Sequence, residues 1–314
     1  MEQRSVGQTD LKIPSVGLGA APLGNMFTDV EMRDARETVR AAYDMGVRFF
    51  DTAPIYGHGE SERKLSQILP DFDRSTYVIS SKVGYLIDAD GKEVRDFTRD
   101  GVLRSIEESL ERLQIDALDI VHIHDPDDHE DGFRKARDMA FPALAELREQ
   151  GVIKAIGAGM NQWEMLVDFA NAADFNCFLL AGRYSLLEQG ALDEFFPLCQ
   201  EKGISVLLGG VYNSGILATG AVPGAKYNYF DAPPEIMDKV HAIEAVCSTY
   251  TVPLRVAAVR FAMAAPAVTS LILGARNASE VKSIEEALTT DIPEQLWADL
   301  KSKGLLRSDA PTGA

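Results

Sequence analysis

Short apolar runs alternate with longer segments of helical period along the whole chain. The candidate strands are Ser15–Gly19, Val47–Ala53, Tyr77–Val83, Leu118–His124, Ile153–Gly159, Cys177–Ala181, Ile204–Gly209 and Thr269–Leu273. Most are apolar nearly throughout, which is the pattern of strands buried on both faces of a parallel sheet. Between them, apolar residues recur at i, i+3 and i+4. Val102, Ile106, Leu110 and Leu113 mark one helix, Leu144 and Leu147 another ahead of Ile153, and Leu192, Phe195, Phe196 and Leu198 a third. Thr28 or Asp29 is placed to cap the helix through Arg36 and Tyr43, and Thr98 the one through Arg104. Gly46, Gly151 and Gly203 each stand between a helical stretch and a strand, where a left-handed residue suits glycine.

Eight β/α units without a break in composition predict one domain over residues 1–314. Two closures fit this alternation: an open doubly wound sheet, or a closed (β/α)8 TIM barrel of ~250 residues with extra loops. An open dinucleotide-binding sheet would carry a glycine-rich turn after its first strand. Gly17-Leu18-Gly19-Ala20-Ala21-Pro22 lacks the third glycine and has Pro where the helix should start. The barrel is therefore expected. An N-terminal β-hairpin over Ser5–Val16, turning at Gln8-Thr9-Asp10, would cap one end, and extra helices would lie near the C-terminus. The window Val256–Ala275 is apolar enough to span a bilayer, but Arg260 and Pro266 interrupt it. It predicts a buried helix, a turn and a buried strand.

The chain has 314 residues, 46% hydrophobic and 25% charged, the proportions of an ordinary soluble globular protein. Its 48 acidic against 31 basic side chains leave a net charge of −17. Phosphate backbones and anionic bilayers repel such a chain, so neither nucleic acid nor a membrane is an expected partner. Cys177, Cys199 and Cys247 form no C-x-x-C pair and read as small buried residues in a reducing compartment. No apolar leader follows Met1-Glu2-Gln3-Arg4-Ser5, so a cytoplasmic location is expected. A homo-oligomer is left open.

In a barrel, residues at the C-terminal strand ends converge on one mouth. Asp51, Lys82 and His124 stand at three successive strand ends, and Tyr56 lies in the loop that follows Asp51. Together they make a candidate acid/base centre. A phenol with pKa near ~10 exchanges protons poorly at neutral pH. An ammonium ~3 Å away stabilises phenolate by roughly 5 kcal/mol at an effective dielectric of ~20, up to about three pK units before desolvation is subtracted. Lys82 would supply that field, Asp51 would hold Lys82 charged, and His124 would bond the same substrate oxygen. The plainer reading of Asp51 and Lys82 is a structural ion pair. The set has no nucleophile and no metal ligands, so the remaining chemistry calls for a cofactor that takes a hydride. His122 is expected as a core histidine, Asp125–Asp131 as a solvated acidic loop rather than a metal site, and Trp297 as core packing. Tyr85, Trp163, Met26 and Phe27 fall in mouth loops where a substrate pocket would be lined.

Phe50-Asp51-Thr52-Ala53-Pro54-Ile55-Tyr56-Gly57, then Ser61-Glu62, Ser81-Lys82-Val83 and Asp119-Ile120-Val121-His122-Ile123-His124-Asp125-Pro126, resemble the aldo-keto reductase family in order and spacing. The resemblance runs from Arg4 to about Pro311. It implies a (β/α)8 barrel binding NAD(P) without a Rossmann motif, with Tyr56 as general acid/base, Asp51 and Lys82 tuning it, and His124 orienting the carbonyl. The family histidine falls on His124 because it stands two residues before Pro126.

Four further stretches resemble the branch of aldose 1-dehydrogenases, which includes L-fucose, L-galactose and pyridoxal 4-dehydrogenases: Ala21–Asn25, Gly157–Asn161, Gly209–Gly215 and Leu305–Pro311. That branch implies oxidation of a cyclic hemiacetal at its anomeric carbon to a lactone, with a sugar or aldehyde as the small-molecule partner. The cofactor contacts it implies are Asp51, Asn161, Gly210, Tyr212, Asn213, Gly215, Gly274, Arg276 and Glu280. The substrate contacts are Tyr56, His124, Tyr85 and Trp163. The better-known reductases place a Ser-Asn pair where Gly159-Met160 stand, a glutamine at Ala181 and a stacking aromatic at Gly209; here Asn161 and Tyr212 are the nearest replacements. Glu280 falls where NADP-preferring relatives carry a neutral or basic side chain, and Arg276 pulls the other way, so NAD is expected over NADP. The alternatives are an NADPH-dependent aldehyde or ketone reductase and a nucleotide-sensing binding subunit with little turnover.

Overall fold

The computed structural model describes residues 1–26 and 28–313. It opens with an antiparallel hairpin of β1 (Gln3–Ser5) and β2 (Lys12–Pro14), in which Arg4 faces Ile13. The barrel strands β3 (Val16–Gly19), β4 (Phe49–Asp51) and β5 (Val78–Val83) follow. A side hairpin of β6 (Tyr85–Ile87) and β7 (Glu93–Arg95) comes next. After it come β8 (Ile120–His124), β9 (Ala155–Met160), β10 (Cys177–Ala181) and β11 (Ser205–Gly209). A second side hairpin of β12 (Lys226–Tyr227) and β13 (Phe230–Asp231) precedes β14 (Val268–Gly274).

The eight long-range strands are all parallel and close as β3-β4-β5-β8-β9-β10-β11-β14 back to β3. Each of the eight expected strands is present, with ends shifted by one or two residues. The largest trim, at Phe49–Asp51, is only nominal. Val78 N still bonds Arg48 O at 2.7 Å and Thr52 N bonds Ser80 O at 3.0 Å, so the ladder continues past both ends.

The helices are α1 (Met32–Met45), α2 (Glu60–Ile68), α3 (Arg99–Leu113), α4 (Gly132–Lys135) and α5 (Phe141–Glu149), the last two joined by a π-helical turn over Ala136–Ala140. They continue as α6 (Trp163–Ala172), α7 (Phe195–Lys202), α8 (Ile216–Thr219), α9 (Pro234–Thr249), α10 (Leu254–Met263), α11 (Ala278–Thr289) and α12 (Glu294–Ser302). Thr98 caps α3 as expected, its hydroxyl accepting from Gly101 N at 3.2 Å.

The expected cap on α1 is not used. Its N-cap is Glu31, and no side chain bonds the first turn. Lys64 Nζ instead takes the carbonyl of Val30 at 2.6 Å, while Asn25 Oδ1 accepts from Val30 N at 2.9 Å. These two tethers fix the approach to the helix in an extended path. Phe27 lies outside the described residues.

The apolar window resolves into α10, a turn and β14, and no single helix among the described residues is long and apolar enough to cross a membrane. All three cysteines are free and buried. Trp297 packs in the core with its ring centroid 6.3 Å from that of Phe261.

Strand alternation sorts the side chains into two clusters. Leu18, Val83, Ile123, Ala158 and Leu271 point outward into the layer between strands and helices. Phe49, Ile120, Ala155, Cys177, Leu207 and Ile272 point inward, and Val6 and Ile13 of the hairpin join them, closing the N-terminal end of the barrel. His122 belongs to this interior. Its ring lies over Gly157, where a Cβ would stand 2.4 Å from His122 Cδ2, so only glycine leaves it room. Burial pushes His122 down to about 4, which keeps it neutral, as expected of a core histidine.

Candidate active site

At the other end of the barrel the inward positions become polar on one side. Asp51 ends β4, and Ser80 and Lys82 follow each other on the inner face of β5. Asp51 Oδ2 accepts from Lys82 Nζ at 2.7 Å and Oδ1 from Ser80 Oγ at 2.7 Å. Lys82 Nζ donates again to Thr52 O at 2.8 Å. Both charged side chains are sealed from solvent. A buried pair of this kind survives because each lone pair and proton finds a partner. Burial pulls the Lys82 pKa down, but Asp51 and Tyr56 more than offset it, and the net shift is upward.

Tyr56 sits over this pair. Lys82 Nζ lies 4.8 Å from the centroid of its ring. The loop bearing it is pinned by Tyr56 N bonding Ala53 O and Ser61 N bonding Tyr56 O, both at 3.1 Å. Ser61 in turn links Thr52 and the Ala20 carbonyl, both at 2.8 Å. The expected acidic phenol is not what the free chain holds. Burial pushes Tyr56 up to about 12, with Lys82 opposing and Asp51 adding to the rise. Enclosure of the hydroxyl outweighs the neighbouring amine, because that amine is already half-neutralised by Asp51.

His124 ends β8 beside Tyr56, the ring centroids 5.9 Å apart and nearly perpendicular. Burial, then Lys82, hold it well below the usual histidine range, so it is neutral. Tyr85 packs on its other side at 5.4 Å, and the Arg95 guanidinium lies 4.6 Å above the Tyr85 ring. Met26 is exposed, and the Trp163 indole lies against Gly190. The acidic loop is less solvated than expected. Asp125 and Asp127 are half-buried, and Asp127 Oδ2 accepts from Gln162 N at 3.2 Å, tying the loop to the start of α6.

The opposite side of the mouth is nearly bare. The inward positions at the ends of β3, β9, β10, β11 and β14 are Gly19, Gly159, Ala181, Gly209 and Gly274. A Cβ on Gly209 would meet only ordinary contacts at 3.4 Å and beyond. These strand ends therefore carry nothing beyond a methyl group, a bare arc of the mouth across from Tyr56 and His124, although a Cβ on Gly274 would stand 2.9 Å from Pro22 Cγ. The rim of this arc is knit by backbone. Gly210, at φ +62°, passes so close to Gly182 that a Cβ would stand 3.0 Å from Gly182 N. Asn213 Nδ2 donates to Gly182 O at 3.2 Å, and its Oδ1 accepts from Asn228 N at 2.8 Å. Asn161 Nδ2 donates to Ala181 O at 2.7 Å and meets the Tyr229 hydroxyl at 3.3 Å. Gly215 precedes α8. Further out, Arg276 and Glu280 pair with each other, Nε to Oε1 at 2.9 Å, and Glu280 Oε2 also accepts from Arg276 N at 2.8 Å. Tyr212 is half-buried, and the charges of Arg255 and Glu280 both act on its hydroxyl.

The Aldo/keto reductase family model matches residues 15–304. The chain belongs to the aldo-keto reductases. It is 36% identical to pyridoxal 4-dehydrogenase of Microbacterium luteolum, over 97% of this chain and 98% of that one. It is also 36% identical to D-threo-aldose 1-dehydrogenase of a Pseudomonas species, over 94% and 95% of the two chains. The barrel superposes on the holo form of an aldo-keto reductase from Bacillus halodurans with a TM-score of 0.80, 23% identity, and coverage of 99% and 98%. This aldo-keto reductase is accordingly an NAD(P)-dependent oxidoreductase acting on small molecules.

Within the aldo-keto reductase barrel, Asp51, Tyr56, Lys82, His124 and Tyr85 come together at one point. Asn161 and Asn213 bond the backbone at the end of β10 and just after it, and Arg276 and Glu280 pair after β14. Ser80 was legible only as the residue two before Lys82, hence on the same strand face. Arg95 comes from a side hairpin and left no signal in the local pattern. Glu62, which accepts from Ser81 Oγ at 2.7 Å and Arg112 Nε at 2.6 Å, is a buried brace behind the site.

Proposed function

We propose that this aldo-keto reductase oxidises a cyclic hemiacetal, an aldose or a pyridoxal-like aldehyde, to a lactone, with Tyr56 exchanging the proton. The observation that carries this reading is the lopsided mouth: a sealed Asp51–Lys82 pair under Tyr56 and His124 on one side, and strand ends bare of side chains beyond a methyl group on the other. The likeness to pyridoxal 4-dehydrogenase and D-threo-aldose 1-dehydrogenase supports the substrate class. A nicotinamide bound against that bare arc would take or give the hydride. Gly159, Ala181 and Gly209 would leave room for it, and Asn161 and the backbone of Gly210 would border it.

The chain's own groups would do the rest. Neutral His124 would hold the reacting oxygen through one ring nitrogen, and Tyr56 would pass its proton to or from the same atom. Lys82 lowers the cost of the phenolate, and Asp51 keeps Lys82 charged and in place. The pairing of Arg276 with Glu280 supports NAD over NADP, since the guanidinium is engaged and a carboxylate stands beside it. The test is a panel of D-arabinose, L-fucose, L-galactose and pyridoxal with NAD or NADP, following the reduced cofactor by absorbance. Turnover of a hemiacetal that disappears in Tyr56→Phe supports the reading. No hemiacetal turnover, alongside reduction of simple aldehydes by NADPH, overturns it in favour of a reductase.

A further inference from the structure

We propose that Asp125 selects substrates carrying a hydroxyl beside the reacting carbon, its carboxylate accepting hydrogen bonds from that hydroxyl at the rim of the site. Asp125 follows directly on His124. Its backbone turns through the left-handed region at φ 44° and ψ 51°, and its N donates to Gly159 O at 2.9 Å. This turn brings the side chain back over the mouth, where Oδ2 lies 3.5 Å from His124 Nε2. That separation exceeds an ordinary hydrogen bond, so His124 does not satisfy it.

The usual work of an aspartate at the head of a helical turn is to cap it, and Asp125 makes no such bond. Nor does a cation neutralise its carboxylate. Arg95 reaches this loop, but it is spent on the carboxylate of Asp128, the Asp128 carbonyl at 2.8 Å and the Asp125 carbonyl at 3.4 Å. An ionised carboxylate accepts about four hydrogen bonds. Among the described residues, none hydrogen-bonds this carboxylate, and the His124 nitrogen at 3.5 Å is the one polar side-chain contact it makes. Its side chain is 33% exposed, and burial, then Asp127, raises its pKa to about 7 against the opposing charges of Lys82 and Arg95, so it is the acceptor-only carboxylate above neutral pH. The same charge acts on the phenols of both Tyr56 and Tyr85, which places it in the pocket they share with His124.

An acceptor left short of donors beside the reacting oxygen is matched by a ligand that brings them. A plain aldehyde brings none, and a hydroxyl on the adjoining carbon brings one. Sites built to bond a substrate hydroxyl discriminate strongly against the analogue that lacks it. The choice of aldoses as ligands rests on the function proposed above, but the recognition of an adjoining hydroxyl does not.

The test uses Asp125→Asn and Asp125→Gly, both of which tolerate a left-handed backbone. Two substrate pairs are compared. D-arabinose is set against 2-deoxy-D-ribose in oxidation, and lactaldehyde against propanal in reduction. In each pair the hydroxylated member should lose about 10- to 100-fold in kcat/KM, chiefly through KM, and the other far less, so that the ratio collapses toward one. Equal losses on both members would show that Asp125 acts only by bracing His124 or the loop, and would overturn the proposal. Unchanged ratios in both variants would overturn it too. Should the unaltered enzyme oxidise neither an aldose nor pyridoxal, the function proposed above falls, and the lactaldehyde and propanal ratio still decides Asp125.

Discussion

Lys82 donates to Asp51 across 2.7 Å with both side chains closed off from water, directly beneath the ring of Tyr56. Removing either partner strands a charge in the barrel. Lys82→Met is expected to cost about 3–5 kcal/mol of stability. The double variant with Asp51→Leu should regain most of it, with activity lost in both. Denaturant unfolding alongside turnover checks this, and a single variant as stable as the parent would refute it.

Tyr56→Phe keeps the ring and deletes the titrating oxygen. Turnover should fall by about 10²- to 10⁴-fold while cofactor affinity changes little. Steady-state kinetics and a fluorescence titration with the cofactor separate the two effects.

The pKa of Tyr56 near 12 sets the sign of the pH dependence. Below that value the phenol holds its proton, so the form that accepts one grows about tenfold per pH unit. Oxidation should therefore accelerate steadily from neutral into alkaline buffer. Reduction, which draws on the protonated form, should stay level over the same range. A bell-shaped oxidation profile centred near neutrality would contradict this.

Glu280 holds Arg276 by three hydrogen bonds to its carboxylate, from the backbone N, Nε and Nη2. Glu280→Gln frees the guanidinium and removes a negative charge. NADP affinity should rise about tenfold and NAD affinity should change much less. Isothermal titration with each cofactor measures both, and a parallel shift would remove Glu280 from the discrimination.

Much of this was visible in the chain before folding, and the limits were physical. The eight strands stood out because they are apolar on both faces, and Asp51, Lys82 and His124 because they end such runs. Thr98 announced its helix, since a cap acts on the next three residues. The start of α1 did not follow its nearest polar residues, because Lys64, more than thirty residues on, takes the carbonyl of Val30. Arg95 and the seating of Asp125 depend on a side hairpin folding back across the mouth. The net shift of Tyr56 is not legible in the sequence for a related reason. The amine beside it can be read from spacing, but the degree of enclosure that overrides the amine belongs to the assembled barrel.

The bare half of the mouth carries a kinetic consequence. With only Gly159, Ala181, Gly209, Gly274 and Gly19 along that arc, the polypeptide supplies one wall of a reaction chamber and leaves the facing wall to be brought in. A sugar arriving early would meet a vessel open on one side, with nothing to press it against the phenol. The nucleotide is therefore expected to dock ahead of its co-substrate and to depart behind the product, a sequence of arrivals and exits written into four glycines and one methyl group.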